Sequence, residues 1–561
     1  MSLRPRGRRA TLVASLVTAA SLIGVVGPAN AAAVATEVSC GSAAAPPAAP
    51  GRPQLAREPI TVPDEDGAPL RMYAGLMLPP AVTVDPSTGH VLTALYAADR
   101  TVHVVEVDPD KPERATADVG LATADGAPAR FDQGYATSSA ANGNLNDSAN
   151  NLTIAVDRSG YVHVAGNVHN SPLSYWRSTE PHDVRSLRNA AEPGAMQGVW
   201  IVKDATGSEV KRYLGSGAEL GATSYPDIFD GPDGALFMSW RSGMAGQGNE
   251  FLYRFDESTR VWKSVAGSTM YGSYPEGHVL LEGMSSGVSP FSTRPVRFPD
   301  GWYWKAWSWR SDSNDPDSNG RISAAKSRDL TTWYSPRGKE LPSTISFSNP
   351  DVIVDDLPLH SSGLLNGQVQ IGYDSAGLPV VTYFKYRDKD GQRTSQMFAA
   401  RLPGVSSFWV PQQVSNWSGI TTPAAEPPLA MLGGARPDTS GAGEFTIQYS
   451  CPERSEARTA IIATGAYIGS SRLVSDGWSA TASEPAASLQ RRTDPNRYPQ
   501  LVPRVAFGSA STPTTWMLGW DSGRYIVDGS APGQDFPSGG SPAVLYAVEH
   551  AMPLRTRAED R

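Results

Sequence analysis

Cysteine is almost absent from the chain, since only Cys40 and Cys451 occur in 561 residues. Zinc sites built on cysteine need clusters of closely spaced ligands, so two distant cysteines exclude that class of site. The sequence also lacks a P-loop, a dinucleotide-binding glycine fingerprint and a G-x-S-x-G nucleophile elbow. It therefore gives no support to a nucleotide-binding fold or to a serine hydrolase of that type.

Positively charged residues are fewer than negatively charged ones. The chain has 48 Lys and Arg residues against 56 Asp and Glu residues, a net charge of −8. Four of the arginines lie in the first nine residues, so the remainder of the chain is near −12 (−8 − 4). This balance disfavours nucleic acid and anionic membranes as partners. It is compatible with an acidic polysaccharide or oligosaccharide, which needs only a local cluster of Arg or His.

Long apolar runs are missing beyond the N-terminus. There, four arginines precede an apolar run over residues 10–26, and the small-x-small segment 29–31 follows. This is the pattern of a signal peptide over residues 1–31, so we expect a secreted, extracellular protein with no membrane partner. Residues 32–59 are rich in Ala and Pro and predict an extended lead-in.

Helical periodicity is also lacking from about residue 60 onward, where short β-rich runs alternate with turns. A turn with Asp or Gly followed by a strand recurs every 65–75 residues or so, starting at residues 85, 157, 231, 298 and 374. This spacing suits a four-stranded propeller blade, and about 500 residues would hold about seven blades. The sequence predicts one all-β domain over residues 60–561, a seven-bladed β-propeller. An array of β-sandwiches is the competing architecture.

Two segments are similar to degenerate Asp-box turns, which occur between outer strands of propeller blades. They are FDESTRVW at residues 255–262 and SRDLTTW at residues 327–333. Both join β-rich runs, and we expect them at the outer edges of their sheets.

Residues 151–169 predict two strands joined by a turn at 157–160. After the turn, His163, Asn167 and His169 alternate with apolar residues and fall on one face of the strand. Two histidines and an asparagine on one face are unusual for a purely structural strand. The innermost strands of a propeller face one channel, so their polar ends converge. We therefore expect this polar face to line a site.

Four segments in the same order resemble one family. They are DRSGYVHVAGNVHNSPLSYWRS (157–178), SYPDIFDGPDGALFMSWRSGMAGQGNEFLYRFDESTRVW (224–262), WSWRSDSNDPDSNGRISAAKSRDLTTW (307–333) and GLLNGQVQIGYDSAGLPVVTYFKY (363–386). They resemble the BNR-repeat-containing family, which includes ulvan lyases, rhamnose–glucuronate lyases and related α-L-rhamnosidases. The resemblance implies a seven-bladed propeller that acts on carbohydrate.

The lyases of this family remove the C5 proton of a uronic acid and expel the oxygen on C4. That chemistry needs a cation at the uronate carboxylate, a base at C5–H and an acid at the leaving oxygen. The resemblance implies that Arg241 clamps the carboxylate, because arginine is bidentate and permanently charged. It also implies that His169 and Tyr225 transfer the protons.

Three further residues are expected to bind substrate. Arg310 matches an arginine that the family places near the sugar. Asn167 precedes His169 by two residues, and it can orient that histidine or bind a hydroxyl group. His278, in the segment SYPEGHVLLEG, is the third candidate.

The sequence departs from the lyases at one position. Where they carry His in an upstream DxHN segment, this chain reads NDSANN, with Ala149 at the position of the histidine. Alanine can neither transfer a proton nor donate a side-chain hydrogen bond. The expected activity is polysaccharide lyase. The alternatives are an α-L-rhamnosidase-type glycoside hydrolase of the same fold and a non-catalytic glycan-binding propeller.

The sequence requires no cofactor. The acidic segment DSNDPDSN at 312–319 lacks the spacing of an EF-hand and predicts a solvated loop. The chain is compatible with a structural calcium or zinc ion, but the sequence assigns no metal ligands.

We expect Cys40 and Cys451 to form a disulfide, because an exported chain with an even number of thiols meets an oxidising compartment. A bridge over so long a loop stabilises by about 4–5 kcal/mol in the chain-entropy model. Peptide mapping of the secreted protein without reduction should yield one cross-linked peptide pair containing both residues. Two separately alkylated peptides would contradict the bridge.

Overall fold

Strands supply almost all of the regular structure of the chain. The computed structural model describes residues 54–73, 81–131, 150–171, 173–190, 223–265, 279–364, 368–389, 391–402 and 408–415, with shorter stretches between 199 and 276 and between 420 and 549. In these residues the helical elements are single 3-10 turns at Val184–Ser186, Pro232–Gly234, Met284–Ser286 and Pro350–Val352. The protein is all-β, which confirms that part of the prediction.

The described strands are short and follow one another closely along the chain. The first seven are β1 (Gln54–Leu55), β2 (Ile60–Thr61), β3 (Arg71–Met72), β4 (Ala81–Val84), β5 (Val91–Tyr96), β6 (Val102–Val107) and β7 (Ala117–Gly120). The next are β8 (Asn151–Val156), β9 (Val162–Ser171), β10 (Ser174–Ser178), β11 (Leu187–Asn189), β12 (Val199–Lys203), β13 (Glu209–Leu214), β14 (Ala218–Glu219), β15 (Thr223–Asp230), β16 (Leu236–Met244), β17 (Gln247–Asp256) and β18 (Val261–Ser264). Then come β19 (Thr269–Tyr271), β20 (Tyr274–Glu276), β21 (Val279–Glu282), β22 (Ser289–Ser292), β23 (Val296–Arg297), β24 (Tyr303–Arg310), β25 (Asn319–Ser327), β26 (Trp333–Tyr334), β27 (Ile345–Ser346) and β28 (Ile353–Asp355). The last are β29 (Gln370–Tyr373), β30 (Pro379–Lys389), β31 (Gln392–Arg401), β32 (Val410–Gln413), β33 (Ala430–Met431), β34 (Arg436–Pro437), β35 (Phe445–Ser450), β36 (Ile468–Val474), β37 (Gly477–Ser479), β38 (Leu501–Phe507), β39 (Thr514–Gly523), β40 (Ser541–Pro542) and β41 (Val544–Glu549).

Most of these strands form antiparallel meanders, in which each strand pairs with the next. Three sheets have the orders β4-β5-β6-β7, β29-β30-β31-β32 and β33-β35-β36-β37, and a fourth has the order β22-β24-β25-β26. The strands β8 to β11 and β15 to β18 also pair in sequence, and β9 and β15 join these two groups into one larger sheet. The last sheet has the order β1-β41-β39-β38, so strands from both ends of the described chain lie side by side.

The recurring turn-plus-strand units are the hairpins β4–β5, β8–β9, β15–β16, β23–β24 and β29–β30, which confirms that they are structural repeats. In three of them an aspartate accepts a hydrogen bond from the backbone N–H two residues further on, at 2.9 Å. These aspartates are Asp85, Asp157 and Asp374. The carboxylate closes the turn locally, which is why the pattern is visible in the sequence.

The two turns similar to Asp-boxes join β17 to β18 and β25 to β26, at the edges of their sheets. Asp256 accepts hydrogen bonds from two backbone N–H groups of its turn, and Asp329 does the same. Each turn also contains a left-handed residue, Arg260 at φ 55° and Leu330 at φ 60°. Their predicted positions between outer strands are confirmed.

The hydrophobic core is distributed between successive groups of strands. One cluster contains Val104 of β6 and Val164 of β9, and the next contains Tyr175 of β10 and Trp240 of β16. A third cluster contains Trp307 of β24, together with residues of β15 and β16. All of these side chains are buried. Each group of strands is therefore stabilised by burial against its neighbour.

Strand β9 contains a β-bulge. Its register with β8 shifts, because Leu152 pairs with Gly166 whereas Asn151 pairs with Val168. Asn167 is thus an extra residue, and its φ of 56° is unusual for a side chain other than glycine. A bulge of this kind re-aims the side chains that follow it.

The bulge makes one prediction wrong: His163 and His169 do not share a face of β9. Ala165 and Val168 pack in the same cluster, so the alternation reverses between them. His163 lies on their side and is fully buried, with its Nδ1 atom 2.7 Å from the hydroxyl of Tyr175. His169 is left on the opposite side.

By its contacts, Thr36–Arg561 forms one unit. Within the part of the chain that the structure describes, no helix is long and apolar enough to span a bilayer. The predicted boundaries after residues 31 and 59 stay predictions.

We expect Gly166→Ala to disrupt the bulge. Gly166 has φ +137°, and an added Cβ would overlap the carbonyl oxygen of Asn151. The free energy of unfolding should fall by about 3 kcal/mol, from strain and displacement of the strand. Gly89→Ala is the control, because Gly89 has φ +75° but no atom within 4 Å of the added Cβ. That change should cost about 1 kcal/mol, from the left-handed backbone alone. Denaturant unfolding of both variants checks the ranking, and equal losses would contradict it.

Candidate functional site

Three neighbouring strands bring the predicted catalytic residues together. Ser224 of β15 is the Cα partner of His169 on β9 and of Arg241 on β16. Tyr225 follows directly, inside a register shift between Ser224 and Asp227. His169, Tyr225 and Arg241 thus meet where the two groups of strands join.

His169 and Tyr225 contact each other directly. The Tyr225 hydroxyl lies 3.2 Å from Nε2 of His169, and the ring centroids are 5.4 Å apart. Both rings are partly exposed, so a ligand can reach them. The pair therefore presents two groups that can each hold or release a proton at one place.

The backbone around this pair is strained. Tyr225 has φ 55° and Asn170 has φ 52°, and neither is a glycine. The Ser224 hydroxyl accepts a hydrogen bond of 2.8 Å from the backbone N–H of Asn170, which holds the two strands in this geometry. Left-handed residues of this kind cost about 1–3 kcal/mol each and concentrate at functional sites.

Arg241 is a buried cation that lies against two aromatic rings. Its guanidinium carbon lies 4.8 Å from the ring centre of Tyr225 and 4.9 Å from that of Phe291, and the residue is only 4% exposed. Among the described residues, its Nε and Nη1 atoms have no hydrogen-bond partner. Such unmade hydrogen bonds of a buried charge are costly, and a carboxylate oxygen that reached either donor would make a charge-assisted hydrogen bond.

Burial lowers the pKa of Arg241, because it disfavours the charged form. The nearby Tyr225 partly offsets this effect, and the positive charge of Arg310 lowers the pKa further. Arginine remains charged in proteins nonetheless. Arg241 is therefore a desolvated positive charge beside a second cation, an arrangement that attracts an anion.

Asn167 is buried in β9, whereas Arg310 is hydrogen-bonded to the loop after β24. Asn167 is 2% exposed, and its Oδ1 atom has no partner in the described structure. Arg310 donates from Nε to the carbonyl oxygen of Asp312 at 2.9 Å and from Nη2 to that of Ser313 at 3.0 Å. Arg310 therefore holds the loop after β24 while placing its charge near Arg241. Contact of either residue with a sugar stays a prediction.

Several predicted residues lie outside the described residues. They are His278, Ala149 and the two cysteines, Cys40 and Cys451. In the part of the chain that is described, no group of three His, Cys, Asp or Glu side chains is placed to hold a metal ion.

The sequence interpretation missed three residues of this region. Phe291 of β22 covers one face of Arg241. Glu250 of β17 and Lys305 of β24 form a buried ion pair, with Lys305 Nζ 2.8 Å from Glu250 Oε1. The one available signal was Lys305 itself, a charged residue within the aromatic strand WYWKAWSW.

Comparisons with known proteins agree on the fold. The chain matches the model of the BNR repeat-containing family over residues 56–417, well over half of its length. It is similar to the solved structure of a PL25 ulvan lyase, with 11% identity and a TM-score of 0.50, covering 89% of this chain and 96% of the lyase. An ulvan lyase bound to a GlcA(1-4)Rha3S saccharide gives 12% identity, a TM-score of 0.50 and coverage of 89% and 96%.

A further polysaccharide lyase has 11% identity and a TM-score of 0.50, covering 84% of this chain and 89% of that one. The chain has no match among the curated proteins. At such low identity the likeness shows the fold alone, a propeller-type fold.

Replacing Arg241 by methionine should stabilise the protein. The substitution removes a buried charge with unmade hydrogen bonds, and methionine keeps contact with both rings. We expect the free energy of unfolding to rise by about 1–2 kcal/mol. Lys305→Met is the matched control. Lys305 Nζ donates to Ser292 Oγ and the Thr293 carbonyl oxygen, and its loss leaves these buried acceptors unsatisfied, which should cost about 1–3 kcal/mol. Denaturant unfolding that shows both changes to be destabilising would contradict the view of Arg241 as an unsatisfied charge.

Proposed function

The chain belongs to the BNR repeat-containing family, and from this premise we propose that it is a secreted seven-bladed β-propeller enzyme. Its substrate is a polysaccharide that contains rhamnose and a uronic acid, and its reaction is β-elimination. The N-terminal pattern of arginines and an apolar run supports export. The ulvan lyases with which the chain shares its fold support a polysaccharide as substrate.

The grouping of strands supports seven blades. Meanders of about four strands are formed by β4–β7, β8–β11, β15–β18, β22–β26, β29–β32, β33–β37, and β38, β39 and β41 with β1. The pairing of β1 with β41 is the kind of contact that joins the last blade of a propeller to the start of the chain.

Arg241 is the observation that carries the proposed chemistry. A uronate carboxylate that accepts a hydrogen bond from Nε or Nη1 would satisfy one of these donors and neutralise the buried charge. The same contact makes C5–H more acidic and stabilises the charge that develops when the proton leaves. A ligand of this chemistry therefore reduces the cost of burying the Arg241 charge.

His169 and Tyr225 can carry the two proton transfers. One of them takes the proton from C5, the electron pair forms the C4=C5 double bond, and the C4–O bond breaks. The other gives a proton to the departing oxygen. After the reaction, the proton taken from C5 can pass across their contact of 3.2 Å to the residue that gave up its own proton. Both side chains then regain their starting protonation states.

Glycoside hydrolysis is less well supported by the site. It generally needs a pair of carboxyl groups facing the sugar. In the described region, Asp227 binds Arg294 and Glu250 contacts Lys305. A non-catalytic glycan-binding role has one observation in its favour, the alanine at position 149.

Incubation of the purified mature protein with a panel of uronate polysaccharides distinguishes these functions. A lyase gives unsaturated products that absorb in the ultraviolet and have the mass of an eliminated fragment. Saturated products identify a hydrolase. Saccharide binding without any product identifies a glycan-binding protein, and either of these results would overturn the proposal.

We expect Arg241→Ala to cause a large loss of elimination. Removing one group that stabilises developing charge costs about 3–4 kcal/mol of barrier, or about 10²–10³-fold in rate. His169→Ala should lower turnover by about 10²–10⁴-fold while leaving saccharide binding largely intact. Arg158→Ala is the control, because Arg158 lies in the exposed turn at the other end of β9 and contacts Glu257. Initial rates of product absorbance measure all three. An unchanged rate in Arg241→Ala would overturn its assignment.

A further inference from the structure

A buried ion pair lies next to Arg241 and takes no part in the proposed proton transfers. The side chains of Lys305 and Glu250 are only 2% and 5% exposed, and Lys305 Nζ lies 2.8 Å from Glu250 Oε1. The contact is an ion pair by distance, although its angles do not meet hydrogen-bond geometry. Lys305 is also held by the Ser292 hydroxyl at 2.9 Å and the Thr293 carbonyl oxygen at 2.8 Å. The ammonium group is thus fixed on three sides.

Glu250 is the cross-strand neighbour of Arg241. The two residues are Cα partners in the ladder between β17 and β16. Directly opposite residues of an antiparallel pair point to the same face, with their Cβ atoms about 4.5–5.5 Å apart. A glutamate and an arginine in this relation ordinarily form an ion pair, which would be strong in a buried setting.

The structure shows the opposite arrangement. No carboxylate of the described residues lies within 4.0 Å of the Arg241 guanidinium, and the Nε and Nη1 atoms remain without a partner. Glu250 instead reaches across to β24 and contacts Lys305. The carboxylate opposite Arg241 in the strand ladder is therefore paired with another cation.

We infer that Lys305 is a positioning residue that draws the Glu250 carboxylate away from Arg241 and so keeps the guanidinium open to the carboxylate of a substrate. The inference rests on the proposed function, because it presumes that Arg241 binds a uronate. It assigns Lys305 no contact with substrate. In its absence, Glu250 would occupy Arg241 as an internal competitor for the anion.

A purely structural role for the pair makes a different prediction. If Lys305 and Glu250 only connect two groups of strands, their loss changes stability and leaves the affinity of Arg241 for anions as it was. The two roles are separated by a second substitution. Removing the charge of Glu250 should restore anion binding if Glu250 is the competitor, and should do nothing for it otherwise.

The test measures binding of sodium glucuronate, with glucose as the uncharged reference sugar, by calorimetric titration. The proteins are the wild type, Arg241→Ala, Lys305→Met and the double variant Lys305→Met with Glu250→Gln. We expect Lys305→Met to bind glucuronate at least tenfold more weakly than the wild type. The double variant should return to within about threefold of wild-type affinity. Lys305→Gln, which keeps a donor for the Ser292 and Thr293 oxygens, replaces Lys305→Met if that protein does not fold.

The outcomes separate the inference from the proposed function. If the wild type prefers glucuronate over glucose and Arg241→Ala abolishes the preference, the anion site is real. Wild-type affinity in Lys305→Met, or no recovery in the double variant, then overturns the role of Lys305 alone. If the wild type does not distinguish glucuronate from glucose, or if Arg241→Ala binds as the wild type does, the proposed function fails and the inference fails with it.

Discussion

The site depends on one unfavourable interaction, the burial of the Arg241 charge without a counter-ion among the described residues. The guanidinium lies against the rings of Tyr225 and Phe291, and among the described residues its Nε and Nη1 atoms have no acceptor. Cation–π contacts return only part of the cost of removing a charge from water. Burial of Arg241 therefore lowers the stability of the folded protein. Binding of an anionic ligand would offset this cost.

The strands around Arg241 bring His169 and Tyr225 to the same site. The bulge at Gly166 and Asn167 turns His169 away from the core face, and the left-handed Tyr225 brings its hydroxyl to the histidine. Both features lie where β9 meets β15, so the join between two groups of strands and the candidate site are the same place. Strain at this point is offset by extensive burial between the groups of strands elsewhere.

The sequence predicted what is decided locally. The Asp and Gly turns could be recognised because Asp85, Asp157 and Asp374 each bind the backbone of their own turn. The motif positions of His169, Tyr225 and Arg241 came from a family resemblance, and the structure places them together. Their roles in catalysis are still predictions.

What the sequence could not supply is set by partners far along the chain. The bulge in β9 is defined by its register with β8, so simple alternation put His163 on the wrong side. The Lys305–Glu250 pair joins residues 55 positions apart (305 − 250), and no spacing rule links them. Whether Arg241 has a counter-ion is likewise a question of three-dimensional packing rather than of pattern.

The central claim is that Arg241 receives the carboxylate of a uronate beside His169 and Tyr225. A crystal structure of the His169→Ala protein with a bound glucuronate–rhamnose oligosaccharide tests it most directly. The account predicts a carboxylate oxygen within hydrogen-bonding distance of Nε or Nη1 of Arg241, with C5 of the same sugar facing the Tyr225 hydroxyl and the space left by the imidazole. A saccharide bound elsewhere, or one whose carboxylate points away from Arg241, would contradict it.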